Sequence, residues 1–212
     1  MKIVILLVLA YLLGSIPSGL WIGKIFFHKN LHDYGSGNTG TTNTFRILGR
    51  KAGIIVFILD FFKGYIATCL PLIFNVHGIS PVVFGILAIF GHTCSIFDHF
   101  KGGKAVATSA GMLFAYNPYF FFFLLIIFVI TLYLTSMVSF ASVACAVIGG
   151  LAVLIFPSIH FIFKSYDPIF TILTLILAFF IIYKHKDNIK RIMNHDENLV
   201  PFGLNITKQK TK

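Results

Sequence analysis

Long apolar stretches, separated by short charged loops, constrain the fold of this chain more than any other feature. Of its 212 residues, 57% are hydrophobic and only 11% are charged, whereas soluble domains average about 25% charged residues. A transmembrane helix needs roughly 20 predominantly apolar residues. The sequence therefore predicts an all-α integral membrane protein with a single domain over residues 1–212. Its clear candidate spans are residues 3–27, 52–74, 79–97, 136–157 and 168–183.

The distribution of positive charge predicts which loops face the cytoplasm. Lysine and arginine are concentrated in loops 28–51 and 98–104 and in the tail after residue 183. The positive-inside rule puts all three on the cytoplasmic side. An even number of crossings must therefore join the second loop to the tail. The last two clear spans supply two of them, so the ambiguous stretch 105–135 must cross twice.

Asn117-Pro118 is the expected break within that stretch, because proline disfavours helix at the residue before it. The first half, 105–116, would be only about 18 Å long at 1.5 Å per residue, so we expect it to lie partly inside the bundle. The first apolar run follows Lys2 as in a signal peptide, but it continues to Phe27, which indicates a retained span. The prediction is a seven-transmembrane-helix bundle with its N-terminus outside and its C-terminus in the cytoplasm.

The net charge of +10 does not indicate nucleic acid in a chain of this class. Basic cytoplasmic loops, anionic lipid and an anionic substrate explain it better. Cys69, Cys94 and Cys145 lie in apolar segments without CxxC spacing, so we interpret them as small hydrophobic residues. We expect no metal site and no cofactor.

The stretch from Gly35 to Arg46 has the composition of a phosphate-binding loop. Its glycines allow backbone N–H groups to converge, its hydroxyl and amide side chains add donors, and its arginine adds a fixed charge. The candidate binding residues of this loop are Gly35, Ser36, Gly37, Asn38, Gly40, Thr41, Thr42, Asn43 and Arg46.

A second candidate anion site is the run Lys101-Gly102-Gly103-Lys104, which precedes a helix expected to begin near Ala105. Exposed N–H groups at a helix N-terminus and adjacent lysines favour anions. The alternative is a basic loop with two solvated lysines. The run is not a nucleotide P-loop, since Asp98 replaces the first glycine of that motif and Ala105 replaces its magnesium-binding hydroxyl residue.

Further polar residues lie in the spans and in the tail. Asp60 and Lys63 are three residues apart in one helix, where an internal structural pair and a substrate contact are both open. His185, Asn188 and Glu197 follow the last span. A basic membrane anchor explains the tail lysines but explains the asparagine and the glutamate less well.

No standard catalytic set is present in the sequence. His92 and Asp98 have five residues between them rather than the four of the membrane acyltransferase motif, and there is no Gly-x-Ser-x-Gly elbow. Five other histidines, His28, His32, His77, His99 and His160, are expected to be structural. The pattern favours direct transfer from an activated donor to a second bound substrate, with the protein supplying orientation and positive charge.

Three motifs, in this order, resemble those of the acyl-phosphate:glycerol-3-phosphate acyltransferase (PlsY) family of bacterial membranes. They are Ser36–Arg46, Gly91-His92 with Phe100–Thr108, and His185-x-x-Asn188-Ile-x-Arg191 with Glu197. Gly14–Gly19 and Asp60–Gly64 match as well. Thr41 stands where the family usually has alanine, and Asn194-His-Asp-Glu197 where Gly-Thr-Glu is usual.

The resemblance implies acyl transfer from acyl phosphate to the 1-hydroxyl of glycerol 3-phosphate, which gives lysophosphatidic acid and phosphate. This is the first acylation of bacterial phospholipid synthesis, at the cytoplasmic side of the cell inner (plasma) membrane. The implied partners are the two substrates, membrane lipid and a soluble enzyme that produces acyl phosphate, without nucleic acid. The implied catalytic residues are Ser36, Arg46, Lys104, His185 and Asn188, and Glu197 is implied to be structural. The residues implied to bind substrate are Gly35, Gly37, Asn38, Gly40, Thr41, Thr42, Asn43, His92, Lys101, Gly102 and Gly103.

Three alternatives remain open from the sequence. A membrane transporter for phosphate or a phosphorylated solute would also need buried cations near a phosphate loop, although inverted repeats are not visible. An assembly protein would use the loop only to bind anionic lipid. An acyltransferase using acyl-CoA would act on the same acceptor with a different donor.

Overall fold

The computed structural model of the chain describes residues 1–210, and all of its regular structure in that part is helical. The contacts divide it into two compact units that meet in sequence at Pro118 and Tyr119. In the first unit the helices are α1 Lys2–Ser15, α2 Ser18–Phe27, α3 Thr41–Leu48, α4 Arg50–Ile73, α5 Pro81–Thr93 and α6 Val106–Tyr116. The second holds α7 Pro118–Thr135, α8 Val138–Ile155, α9 Pro168–Lys184 and α10 Lys186–Met193.

Four helical segments among residues 1–210 are long and apolar enough to cross a membrane: α4, Pro81–Asp98, α7 and Val138–Ile159. Two bent pairs, α1 with α2 and α9 with α10, raise the number to as many as six if each pair is one span. α6 is apolar but has only 11 residues. Helices therefore occupy every segment predicted as a span, while the count of seven and the orientation of the termini stay predictions.

Proline lies at two breaks between helices. Asn117 has an extended backbone between α6 and α7, as expected for a residue before proline. α1 and α2 meet at Pro17 with a bend of 44°. The expected break at Asn117-Pro118 is confirmed.

The core of the first unit lies where α1, α4 and α5 meet, and small residues there let helices approach closely. Its buried members are Leu6, Ala10, Ala67, Leu70, Phe84 and Ala88. α6 packs against α4 by the same means, since a Cβ at Gly64 would collide with the carbonyl of Thr108, and one at Gly111 with the carbonyl of Phe61. This packing fixes the start of α6, next to Lys104.

In the second unit, the tail after α10 covers the C-terminal end of α7. The backbone N–H groups of Val200, Leu204 and Ile206 donate to the carbonyls of Ser136, Tyr133 and Leu134 at 2.9, 2.8 and 3.0 Å. Those carbonyls belong to the last turn of α7 and the residue after it, where a helix has no partners of its own for them. The tail is thus an ordered part of this unit.

Candidate active site

The glycine-rich loop before α3 is shaped by the buried side chain of Asn43. Its Oδ1 accepts from the backbone N–H of Ser36 at 3.0 Å, and its Nδ2 donates to the carbonyls of Tyr34 and Asn38 at 3.0 and 2.8 Å. Both N–H bonds of the amide are therefore used inside the loop. The side chain of Asn43 therefore holds the loop together, with its donors directed to backbone carbonyls of the loop.

The loop ends at the N-terminus of α3, with Gly40 as the residue before the helix. A helix N-terminus presents backbone N–H groups that favour an anion. Thr41 Oγ1 is buried there, and within residues 1–210 it has no hydrogen-bond partner. Ser36 and Arg46 are exposed, so their side chains are accessible. The sequence-predicted donors of this loop thus lie within one short segment.

The Gly102-Gly103 turn lies directly on His92. The N–H of Gly103 donates to the carbonyl of His92 at 3.2 Å, and a Cβ at Gly103 would collide with Nε2 of the same histidine. A Cβ at Gly40 would lie 3.9 Å from Cα of Gly103. The turn between the two lysines is therefore adjacent to the start of α3, and the two candidate anion loops form one cluster in the first unit.

His32 joins these two loops, although we expected it to be an isolated structural histidine. Its Nδ1 lies 3.1 Å from the carbonyl oxygen of Gly37, and its Nε2 lies 2.9 Å from both carboxylate oxygens of Asp98. Asp98 is buried. Nothing in the sequence indicated this contact, because its partners are 66 positions apart.

Beneath the Gly-Gly turn, three buried ionisable side chains form a chain of contacts. Lys63 Nζ lies 2.8 Å from Asp60 Oδ1 and donates to the carbonyl of Ile16 at 3.0 Å. His92 Nδ1 lies 3.7 Å from the same Asp60 oxygen. This arrangement supports the interpretation of Asp60 and Lys63 as an internal pair, since it ties the break between α1 and α2 to α4. It also gives His92, predicted to bind substrate, a buried supporting position under the turn.

An apolar groove of about 370 Å³ lies between α2 and α4, next to this chain of contacts. A Cβ at Gly19 would collide with the carbonyl of Thr39, so the glycine-rich loop packs directly on the α2 wall. The groove has polar groups from Ser18 and Lys63, and otherwise hydrophobic walls. Its lining residues are Leu13, Ile16, Ser18, Trp21, Ile22, Ile25, Phe26, Leu59, Phe62, Lys63 and Ile66.

Within the second unit, Glu197 organises the polar residues of the tail. Its Oε1 accepts from Asn188 Nδ2 at 2.7 Å and from Ser139 Oγ at 3.0 Å, and its Oε2 accepts from Arg191 Nε at 2.8 Å. His185 is buried in the last turn before α10, with Nδ1 2.8 Å from the carbonyl of Ile181. The structure therefore brings Asn188 and Glu197 into contact and keeps His185 one helical turn from Asn188.

A family model described as glycerol-3-phosphate acyltransferase matches residues 4–195. Curated proteins named glycerol-3-phosphate acyltransferase include one from Lactococcus lactis subsp. cremoris (strain MG1363), 63% identical over 99% of both chains. One from Streptococcus gordonii is 59% identical over 97% of this chain and 96% of its own. The chain belongs to the PlsY family of glycerol-3-phosphate acyltransferases.

Two solved structures of PlsY, an integral membrane glycerol 3-phosphate acyltransferase, support the same assignment. The glycerol 3-phosphate form has a TM-score of 0.84 at 32% identity and covers 94% of this chain and 96% of its own. The lysophosphatidic acid form has a TM-score of 0.80 and covers 94% and 95%. The predicted family and the predicted acyltransferase activity are confirmed, and this PlsY-family chain is an integral membrane acyltransferase of phospholipid biosynthesis.

Proposed function

We propose that this enzyme transfers an acyl group from acyl phosphate to the 1-hydroxyl of glycerol 3-phosphate, giving lysophosphatidic acid and inorganic phosphate. The observation that carries the proposal is the meeting of two donor-rich loops, Gly35–Arg46 and Lys101–Lys104, at the start of α3. A reaction between two phosphate-bearing substrates needs two anions held side by side. Adjacent loops with backbone donors and three cationic side chains fit that need.

The donor phosphate would bind at the N-terminus of α3, where Ser36, Thr41 and backbone N–H groups supply donors. The unpartnered Thr41 hydroxyl supports this placement. Asn43 would act by holding the loop rather than by touching the phosphate. The acyl chain of the same molecule would lie in the apolar groove between α2 and α4, whose wall supports the loop at Gly19.

Arg46, Lys104 and Lys101 would hold glycerol 3-phosphate and offset its charge. His185 and Asn188 are proposed to orient the acceptor, with Glu197 holding Asn188 in place. The 1-hydroxyl oxygen attacks the carbonyl carbon of the mixed anhydride and forms the ester bond. The bond from that carbon to the phosphate oxygen breaks, and the leaving phosphate accepts the hydroxyl proton.

The cellular setting follows from the charge distribution. We propose one domain with seven spans in the cell inner (plasma) membrane, the N-terminus outside and the active site at the cytoplasmic face. A cytoplasmic site would receive acyl phosphate from a soluble enzyme that produces it and would release its product into the inner leaflet. No cofactor is needed, because the anhydride is already activated.

The deciding experiment compares donors on one purified preparation in detergent. Acyl phosphate with glycerol 3-phosphate should release phosphate and form 1-acyl-glycerol 3-phosphate, while acyl-CoA should give neither product nor free thiol. Transport needs a sealed vesicle, so turnover in detergent also excludes a transporter. Turnover with acyl-CoA but not with acyl phosphate would overturn the proposal that acyl phosphate is the donor. Tolerance of both Ser36→Ala and Arg46→Ala would instead favour a loop that only binds lipid.

A further inference from the structure

We infer that His32 and Asp98 form a positioning pair that fixes the two phosphate loops at the spacing needed for both substrates. The inference rests on the proposed function and adds two residues to it. His32 lies in the turn Leu31–Asp33, directly before the first loop, and Asp98 lies in the turn Ile96–Asp98, directly before the second. Neither residue is among the predicted substrate-binding residues.

The geometry limits the roles that the two ring nitrogens of His32 can take. Carbonyl and carboxylate oxygens only accept hydrogen bonds. Both ring nitrogens of His32 face such oxygens, Nδ1 the carbonyl of Gly37 and Nε2 the carboxylate of Asp98. Each ring nitrogen can therefore take part in these contacts only as a donor, and the contact of Nε2 with the carboxylate is a charge-assisted hydrogen bond.

Each partner acts on a different loop. The Nδ1 contact holds Gly37, whose backbone φ of +69° lies in the left-handed region that favours glycine. The backbone carbonyl of Asp98 accepts a hydrogen bond from the N–H of Lys101 at 2.9 Å. Asp98 therefore fixes the start of the Lys101–Lys104 loop. Loss of the pair would leave each loop formed by its own contacts but would release one from the other.

Burial makes this contact different from an ordinary surface ion pair. The side chain of Asp98 is only 5% exposed, and that of His32 is 26% exposed. A buried carboxylate without its hydrogen-bond partner is costly, so the pair constrains the loops more than an exposed pair would. Loss of the contact should therefore lower the affinity for substrate, whether or not it also lowers Tm.

The test compares His32→Gln, Asp98→Asn and the double variant with His32→Arg, which offers the carboxylate several N–H donors and a positive charge. The matched controls are His77→Gln, an exposed histidine in the loop before α5, and Asp33→Asn, an exposed carboxylate in the same turn as His32. Each protein is purified in detergent. The measurements are KM and kcat for glycerol 3-phosphate, the Kd for glycerol 3-phosphate without donor, and the Tm.

We expect each single loss variant to raise KM and Kd for glycerol 3-phosphate about tenfold, as for a lost hydrogen bond to a charged group. The kcat should change less than about threefold, the double variant should be no worse than either single one, and His32→Arg should restore most of the affinity. The controls should match the wild type. Because Kd is measured without donor, this result does not depend on which acyl donor the wild type uses.

Unchanged affinity in Asp98→Asn, additive losses in the double variant, or His32→Arg as weak as His32→Gln would each overturn the inference. A fall in Tm with an unchanged Kd would do so as well, since it would mark a purely structural contact. If His32→Gln does not yield folded protein, Asp98→Asn carries the test, because it weakens the same contact from the other side. If the wild type does not turn over acyl phosphate, that result would count only against the proposed donor and not against the pair of His32 and Asp98.

Discussion

At the scale of single residues, Arg46 is the sharpest test of the proposed site. It is exposed in the last turn of α3, the helix that begins at the phosphate loop. Arg46→Lys keeps the charge but loses the planar fork that binds a phosphate through two parallel hydrogen bonds. We expect KM for glycerol 3-phosphate to rise roughly 10- to 100-fold, the effect of losing one charge-assisted hydrogen bond. Steady-state kinetics in detergent measure it.

Arg50→Lys is the matched control, since Arg50 is an exposed arginine at the start of the next helix and lies outside the proposed site. Its KM should stay at the wild-type value. Normal turnover by Arg46→Lys at low glycerol 3-phosphate would show that the guanidinium does not hold the acceptor. The assignment of Arg46 to the acceptor phosphate would then be wrong.

At the scale of elements, the ordered tail after α10 acts through Gln209. Its buried side chain accepts from the N–H of Glu197 and donates to the carbonyl of Ile192, each at 3.1 Å. Gln209→Ala would leave the buried N–H of Glu197 without this partner, whereas the carbonyl of Ile192 would still accept from the N–H of His195 at 3.1 Å. We expect the variant to lower Tm by about 2–8 °C, from the cost of one unpaired buried group in a chain of this size. A thermal unfolding curve in detergent measures the change.

The same variant should also reduce the affinity for glycerol 3-phosphate, because Glu197 holds Asn188, a proposed acceptor contact. Lys210→Ala, one residue further along and exposed, should leave both quantities unchanged. Equal Tm values for Gln209→Ala and the wild type would show that the tail does not stabilise this unit.

The elements also show what the sequence predicts and what it leaves open. The break before Pro118 and the bend at Pro17 are local effects of a single residue type, so they were predictable. The scaffolding role of Asn43 was not, because its partners are backbone carbonyls that every residue carries. The contact between His32 and Asp98 was hidden for a different reason. It depends on how two turns that are far apart in the sequence pack together. The hydrophobic pattern of the sequence carries no information about that packing.

At the scale of the whole molecule, the open question is whether α6, with only 11 residues and a length of about 16 Å, counts as a crossing. Whether α6 crosses determines on which side of the membrane every later loop and the tail lie. If α6 and α7 both cross, the segment between α8 and α9 lies outside and the tail lies in the cytoplasm. If only α7 crosses, these two regions exchange sides.

Single cysteines in a background without Cys69, Cys94 and Cys145 decide the matter with a membrane-impermeant thiol reagent. Ser165→Cys, exposed between α8 and α9, should label in intact cells, whereas Lys208→Cys, exposed in the tail, should label only after permeabilisation. His77→Cys, in the loop before α5, should label in intact cells whether or not α6 crosses. A reversed pattern at positions 165 and 208 with position 77 unchanged would remove α6 from the spans, and reversal at all three would invert the whole protein. Either reversal would contradict the cytoplasmic site, because the positive-inside rule would then fail for the basic tail or for every loop.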